Sequence, residues 1–436
     1  MKFILDWFDE RTGYRSFVHE ALYERIPGGA RWRYVWGSTL CFTFATQMIT
    51  GLFLWMAYSP SAQTAWESVY YIQHGMQFGW LLRGIHHFTA QAMIVLLALH
   101  LLQVVVDGAY RAPREINFWL GLILMLIVLG LSLTGYLLPW DQKGYWATQV
   151  ATNIMGMTPG IGPEIQKLAV GGTVYGHHTL TRFFALHAGL LPALLIMFLV
   201  LHIYVFRRHG ITTHPSQKPD SSFWPDQVLL DEVACLAVLA VVLFLVFLPW
   251  MQGKYQLADR GGYKHEPFDT QTFKHLASEN RLGEVMGAEL GAPADPADNY
   301  SAARPEWYFL FLFQFLKLFP GDMEVLGAMV IPGVVMGVLF LMPFIGRWKL
   351  GHRFNILYLG ILLAGVGILT GLAIAEDRSN SEYQVAVEDA HVRARRIVEL
   401  IQGPTGIDAL GARGLLRSDP KLQGPRLFAK HCATCH

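Results

Sequence analysis

His86-His-Phe-Thr-Ala-Gln-Ala-Met-Ile-Val-Leu-Leu-Ala-Leu-His100 places two histidines fourteen residues apart in one apolar run. His187-Ala-Gly-Leu-Leu-Pro-Ala-Leu-Leu-Ile-Met-Phe-Leu-Val-Leu-His202 places two more fifteen apart in another. Neutral imidazole is a good axial ligand for haem iron, and two helices that each offer two of them can clamp two haems between them. At about 1.5 Å rise per residue the first pair is separated by roughly 21 Å, which would put one haem near each face of a hydrocarbon layer about 30 Å thick. The pattern predicts an all-α, polytopic membrane protein built around a transmembrane diheme core that moves electrons across the layer.

Composition points the same way. Of 436 residues, 53% are hydrophobic and 15% charged, with a mean hydropathy of +0.32, which is too apolar for a typical soluble chain. A net charge of +1 offers nothing to nucleic acid. Apolar runs at about 34–57, 80–106, 116–138, 183–206, 230–250, 325–346 and 354–375 each come near the ~20 residues that a spanning helix needs. Arg25, Arg31 and Arg33 precede the first run; Arg111 and Arg114 follow the second; Arg207, Arg208 and Lys218 follow the fourth; Arg347, Lys349 and Arg353 follow the sixth. By the positive-inside rule these segments face the cytoplasm across a bacterial inner membrane, and the remaining loops and the tail from Glu376 face outward. Residues 1–33 lack an apolar h-region and read as a cytoplasmic segment, not a cleavable signal.

The second and fourth spans then run in the same direction, so His86 pairs with His187 at the outer level and His100 with His202 at the inner one. A lone histidine in a helix is usually a packed or hydrogen-bonded residue. Two pairs at matching depth reverse that expectation, because unpaired polar groups inside a bilayer are costly. His87, His177 and His178 have no such partner and read as interfacial or structural. Gly37 and Gly51 in the first span, and Gly121 and Gly135 in the third, repeat the spacing of fourteen, where a missing side chain lets a flat macrocycle approach the backbone. Arg83 and Arg182 lie close to His86 and His187, where haem propionates need cations.

With Arg83-Gly-Ile-His86, Gly135-Tyr-Leu-Leu-Pro-Trp140, Thr181-Arg-Phe-Phe-Ala-Leu-His187 and Pro305-Glu-Trp-Tyr308, the chain resembles cytochrome b of quinol–cytochrome c oxidoreductases over about residues 20–375. Its seven spans and its histidine spacings look more like the chloroplast and cyanobacterial type, with the four-helix and three-helix parts fused. The resemblance implies a cytoplasmic segment 1–33, a four-helix diheme domain 34–210, a linker 211–229, and a three-helix quinol-site domain 230–375 with a long outer loop. It places quinol oxidation at the outer end of the third span, the Gly144–Asn153 segment and the Pro305–Tyr308 loop. Glu306 would accept a quinol proton beside the outer haem and swing it toward water, with Tyr136 and Tyr308 lining the pocket. The other electron would pass through both b haems to a quinone near the cytoplasm, where Arg207, Arg208 and Asp231 are candidates. A Rieske iron–sulfur partner, a c-type cytochrome acceptor, the quinone pool and a homodimer within membrane lipid are implied as well.

There are departures. Val35 stands where the chloroplast-type proteins carry the cysteine of a third, covalent haem, so that haem is not expected here. Residues 266–299 make the loop before Pro305 longer than the family norm. After an outer linker over 376–423, in which Val392, Ile397, Leu400 and Ile401 suggest a short amphipathic helix, residues 424–436 end in Cys432-Ala-Thr-Cys435-His436. That is the attachment signature of a c-type haem, with two thioethers and an axial histidine, and Leu427-Phe428 is placed as in the first helix of a soluble cytochrome c. A haem c domain continuing for about a hundred residues is expected. Cys41 and Cys235 sit alone in apolar runs and read as small hydrophobes. A non-catalytic haem b anchor relaying electrons from a dehydrogenase would have four or five spans and no Pro-Glu-Trp-Tyr loop. A transporter would want broken helices or acidic relays at the midplane, which these spans lack.

Overall fold

The computed structural model describes residues 2–433 apart from 213–218, 252–256, 260–261, 265–269, 299, 301 and 405. Helices α1 (Lys2–Thr12) and α2 (Tyr14–Leu22) lead into α3 (Val35–Trp55), followed by α4 (Ala65–Tyr70), α5 (Gly79–Val106) and α6 (Glu115–Tyr136). Then come α7 (Gln142–Gly156), α8 (Gly162–Val170) and α9 (His177–Phe184), which continues through a π turn at Ala185–Leu190 into α10 (Leu191–His209). The second part comprises α11 (Val228–Met251), α12 (Thr270–Ser278), α13 (Leu310–Leu316), α14 (Ile331–Ile345) and α15 (Gly351–Ser379). Among the described residues, seven helical segments are long and apolar enough to cross a membrane. They match the predicted spans to within a few residues at most ends, although the fourth already begins at His177. A two-residue ladder, Arg25 opposite Ser222 and Ile26 opposite Ser221, ties the chain before α3 to the chain before α11. Lys218, one of the predicted topology determinants, lies outside the described residues.

These segments are helical because a bilayer leaves no other way to satisfy the backbone. Hydroxyls obey the same constraint. In α3, Thr39, Thr46 and Thr50 each donate to the carbonyl four residues back, at 2.7, 3.0 and 2.6 Å, so none is left unpaired among apolar neighbours. Helix α3 packs most extensively on α5, and α6 on α10, while α11 lies against α3 and α5. Met93, Leu124, Ile127, Val128 and Leu195 form a buried layer across the middle of the four-helix part. Val105, Phe118 and Leu122 join it to Leu339, Met342 and Leu359 of α14 and α15. Inside lipid, such contacts hold helices through close packing more than through water exclusion.

The loops between alternate spans converge on one end of the bundle. Asp141 caps α7, accepting from the Gly144 amide at 2.9 Å and from the Gly291 amide at 3.1 Å. Trp66 donates to Gly291 O at 2.7 Å, and the Gln73 amide to Gly283 O at 2.9 Å and Met286 O at 2.8 Å. The long loop before Pro305 is thus spent, over residues 282–294, in sealing this end.

The tail is a packed layer, where the sequence suggested a linker. Helices α16 (Ser381–Gln402), α17 (Gly411–Ser418) and α18 (Pro420–His431) fold back on the same end. Ile397 and Ala412 are fully buried against Trp66, with Tyr70, Leu290, Ile401 and Leu415 around them. Arg396 makes two 3.0 Å bonds to Asp419, and Arg417 and Arg393 pair with Asp295 and Asp298 of the loop. Helix α16 outruns the expected amphipathic stripe because Asn380 caps it, accepting from the Tyr383 amide at 3.0 Å, and because acid–base pairs run along it. Leu427 and Phe428 are exposed on α18. Cys432 follows that helix, whereas Cys435 and His436 lie outside the described residues.

Arg304 anchors the stretch before Pro305. Its Nη2 and Nε lie 2.8 and 3.1 Å from Asp377 Oδ1 at the end of α15, and its guanidinium stacks 4.1 Å from the Tyr383 ring. Asp377→Asn should cost about 2 kcal/mol of local stability by leaving a largely buried guanidinium unpaired. The expected readout is faster amide hydrogen exchange at Trp307–Phe309; unchanged exchange would rule out the anchoring role.

Candidate haem and quinol site

Two cavities are stacked inside the four-helix part. One, of about 690 Å³, is lined by His86, His187, Gly51 and Gly135. The other, of about 360 Å³, is lined by His100, His202, Gly37 and Gly121. Phe44, Met93 and Val128 line both and form the wall between them. The rings of His86 and His187 have centres 6.3 Å apart and planes at 74°. An imidazole nitrogen binds a metal at about 2 Å and the ring centre lies about 1 Å beyond it, so two imidazoles on one iron have centres about 6 Å apart. The larger cavity fits that requirement.

Three of the four rings are held through Nδ1. Thr50, already donating to Thr46, accepts from His86 Nδ1 at 2.9 Å. His187 donates to Leu131 O and His202 to Asn117 O, both at 3.0 Å. Such bonds select the tautomer that leaves Nε2 free for a metal. His100 Nδ1 is buried without a hydrogen-bond partner. The four glycines face these same rings. A Cβ at Gly37, Gly51, Gly121 or Gly135 would stand 3.9, 3.2, 3.3 or 2.5 Å from Cε1 of His100, His86, His202 or His187 respectively. The sequence suggested that glycine admits a macrocycle; the structure adds that it admits the imidazole.

The π turn explains why the second histidine pair is spaced by fifteen. Pro192 has no N–H for the carbonyl of Ala188, so the α ladder breaks, and the chain takes one wide turn over Ala185–Leu190 that contains His187. A π turn absorbs one extra residue, which leaves His187 and His202 at the levels of His86 and His100.

Glu306, Tyr308 and Tyr136 line the larger cavity beside His86 and His187. Tyr308 Oη lies 2.6 Å from Ser132 Oγ, and Tyr136 donates to Arg304 O at 3.4 Å. Burial pushes the Glu306 carboxyl up to about 7, with Lys143 opposing and Asp141 and Glu289 adding to the shift. Arg83 lines the cavity too, but its donors are occupied by Gln73 Oε1 at 2.9 Å and by Ala288 O and Glu289 O at 2.6 Å. Arg182 is exposed, donates to the carbonyls of Lys167 and Leu168, and is not among the lining residues; α9 begins early enough to turn it outward. The lining takes Asp141 and Lys143 but nothing from 144–153, because α7 leads away from the cavity.

In the smaller cavity Asp231 accepts from Ser38 Oγ at 2.7 Å and Gln227 Nε2 at 2.8 Å. Arg207 also lines it and pairs with Glu24, while Arg208 is not in the lining. Sequence reasoning set aside His87, which lines the larger cavity and meets Gln91 at 2.8 Å, and Gln91 in turn accepts from Trp307 Nε1 at 3.0 Å. It also passed over Lys143, Glu289, Tyr300 and His391, which complete the lining. Lys143 was visible as a lone cation between Trp140 and Trp146; nothing local marks Glu289 or His391, which arrive through the loop and the tail.

Comparison with known proteins places this architecture. The cytochrome b/b6/petB family model matches residues 24–210, and the cytochrome b (C-terminal)/b6/petD model matches residues 293–388. The menaquinol:cytochrome c reductase cytochrome b subunit of Bacillus subtilis (strain 168) is 39% identical over 217 residues, covering 48% of this chain and 97% of that one. Cytochrome b6 of Synechococcus sp. (strain JA-3-3Ab) is 37% identical over 212 residues, 49% of this chain and 99% of its own. Cytochrome b of Rhodobacter capsulatus is 29% identical over 355 residues, 76% of this chain and 73% of its own. A solved hyperthermophilic respiratory Complex III chain shares the fold, with a TM-score of 0.62 at 24% identity over 85% of this chain and 99% of that chain. Two family models on the two membrane-spanning parts, and relatives aligned over nearly their whole length, establish that this integral membrane protein belongs to the cytochrome b/b6 family.

Proposed function

We propose that this chain is the quinol-oxidising cytochrome b subunit of a quinol–cytochrome c reductase, with the larger cavity as the quinol site at the outer face of a bacterial inner membrane. The observation that carries this reading is that Glu306 shares one cavity with His86 and His187. In the proposed arrangement those two histidines hold the outer b haem, and His100 and His202 hold the inner one. Bound there, the haems supply one-electron acceptors at two depths, so that one of the two quinol electrons travels inward to a quinone while the other leaves through a Rieske-type partner to c-type haem.

The chain's own residues handle binding and protons. A quinol in the cavity meets Tyr136 and Tyr308 along its walls, and its hydroxyl proton passes to the Glu306 carboxylate. A base must be ionised to accept, and a carboxyl pushed up to about 7 by burial is matched to a donor near neutrality. At the other end Asp231, held by Ser38 and Gln227, and Arg207 face the smaller cavity and would supply protons and hydrogen bonds to a quinone; Arg208, outside the lining, adds charge to the cytoplasmic rim. Proton release outside and uptake inside couple electron flow to proton translocation. Segments 34–210 and 230–375 act as the diheme and quinol-site parts of one subunit. Cys432, Cys435 and His436 would hold a c-type haem on the outer side, and the complex works as a homodimer.

Quinol oxidation should fall as pH drops through about 7, and Glu306→Gln should slow it roughly a hundredfold while removing that limb; full turnover in the variant would exclude Glu306 as the proton acceptor. His100→Ala should cost the inner b haem alone, seen as loss of half the haem absorbance, whereas retention of both would break the proposed pairing. Gly135→Ala should displace the outer haem, because a methyl would overlap His187, and Gly37→Ala should keep both haems. Equal haem content in the two glycine variants would contradict the close approach seen at Gly135.

A further inference from the structure

We propose that Glu289 and His391, positioned by Lys143, form an exit relay that carries the quinol proton from Glu306 to outer water, its last member supplied by the tail helix α16. This rests on the reading of Glu306 as first acceptor. All four side chains line the same cavity. Glu289 bridges two elements: one carboxylate oxygen lies 2.8 Å from Lys143 Nζ on α7, the other 3.4 Å from His391 Nε2 on α16. The side chains of Glu289 and His391 are 53% and 40% exposed, so this pair spans from the cavity wall to solvent, with His391 on the tail side.

Chemistry selects these residues from the rest of the lining. Arg83 and Arg304 stay protonated and cannot carry a proton onward, and both are occupied by carbonyls or by Asp377. The Tyr308 and Tyr136 hydroxyls are bound to Ser132 and to Arg304 O. Asp141 is spent on the amides of Gly144 and Gly291. A carboxylate and an imidazole at the rim can both gain and lose a proton. The charged groups facing His391 are Glu289 from the loop and Lys143 behind it on α7; on α16 itself, Asp389 pairs with Arg393 and Glu388 with Arg395, which leaves Glu289 as the carboxylate in contact with the ring.

The transfer balances. As one electron and one hydroxyl proton leave toward the Rieske-type partner and the second electron leaves toward the inner side, the remaining quinol O–H bond breaks and its proton joins Glu306. Glu306 returns to carboxylate by handing the proton to Glu289 within the shared cavity, Glu289 passes it to the His391 ring 3.4 Å away, and the ring releases it to solvent, so that each group ends as it began. Lys143 keeps Glu289 ionised between turnovers. Glu289 falls outside the residues matched by the two family models, 24–210 and 293–388, and so does His391, so this route is built from the chain's own loop and tail upon the family core.

The test uses the intact membrane complex, with steady-state quinol oxidation measured for His391→Ala, His391→Gln and Glu289→Gln, and haem spectra as the check on folding. We expect about tenfold slowing in all three with unchanged haem content and quinol KM, and restoration of the His391→Ala rate by added imidazole but not by sodium chloride of equal ionic strength. Unchanged rates, or slowing that imidazole does not relieve in His391→Ala, would overturn the relay. Glu306→Gln run alongside separates the two readings: if it turns over normally, the acceptor assignment fails; if it is slow while the His391 variants are not, only the relay fails.

Discussion

An imidazole inside a bilayer has one nitrogen too many unless both are given work, and the four-helix part of this chain is arranged around that constraint at three of its four paired histidines. Thr50, the Leu131 carbonyl and the Asn117 carbonyl each hold one Nδ1, which turns Nε2 toward a cavity. The demand propagates outward. Rings so placed need room beside the neighbouring helix, and glycine provides it most tightly at Gly135, then at Gly51 and Gly121, with only ordinary contact at Gly37. Two rings on different helices must also meet at one depth, and the π turn before Pro192 shifts His187 into register. A layer of Met93, Val128 and their neighbours separates the two levels with tightly packed side chains.

The larger cavity extends from the paired histidines to a polar end built by parts distant in sequence. Glu306 and Tyr308 come from the loop after residue 302, Asp141 and Lys143 from the start of α7, Tyr383 and His391 from the tail. A buried carboxyl with a raised affinity for protons sits well in such a place, since proton and electron from one donor can leave in different directions. The tail contributes more than a tether. By burying Ile397 and Ala412 against Trp66 it makes the closure of this end part of the fold, and Arg304 links that closure to the Pro305–Tyr308 turn through Asp377 and Tyr383.

Much of the bundle was legible in the sequence because its signals are local. Apolar length gave the seven spans, cation placement their alternation, and the histidine spacing the two levels. The extra residue between His187 and His202 was seen but had no explanation, since a π turn leaves no mark in hydropathy beyond Pro192. Arg182 lies outside the cavity lining because the helix starts six residues earlier than its apolar stretch, and proximity in sequence says little about direction. Glu289 and His391 were invisible for a different reason: both reach the cavity through long-range contacts, and an acid or a histidine in a charged segment looks like any solvated surface. The tail's Ile397 and Ile401 were noticed, but their partners, Trp66 and Leu290, lie far away in the chain.

Haem stoichiometry tests the central claim most directly. A pyridine haemochrome spectrum of the purified protein, normalised to polypeptide, should report two b-type haems per chain, one for each stacked pair of histidines. One b haem or none per chain would contradict the arrangement of His86 with His187 and His100 with His202 on which the rest is built.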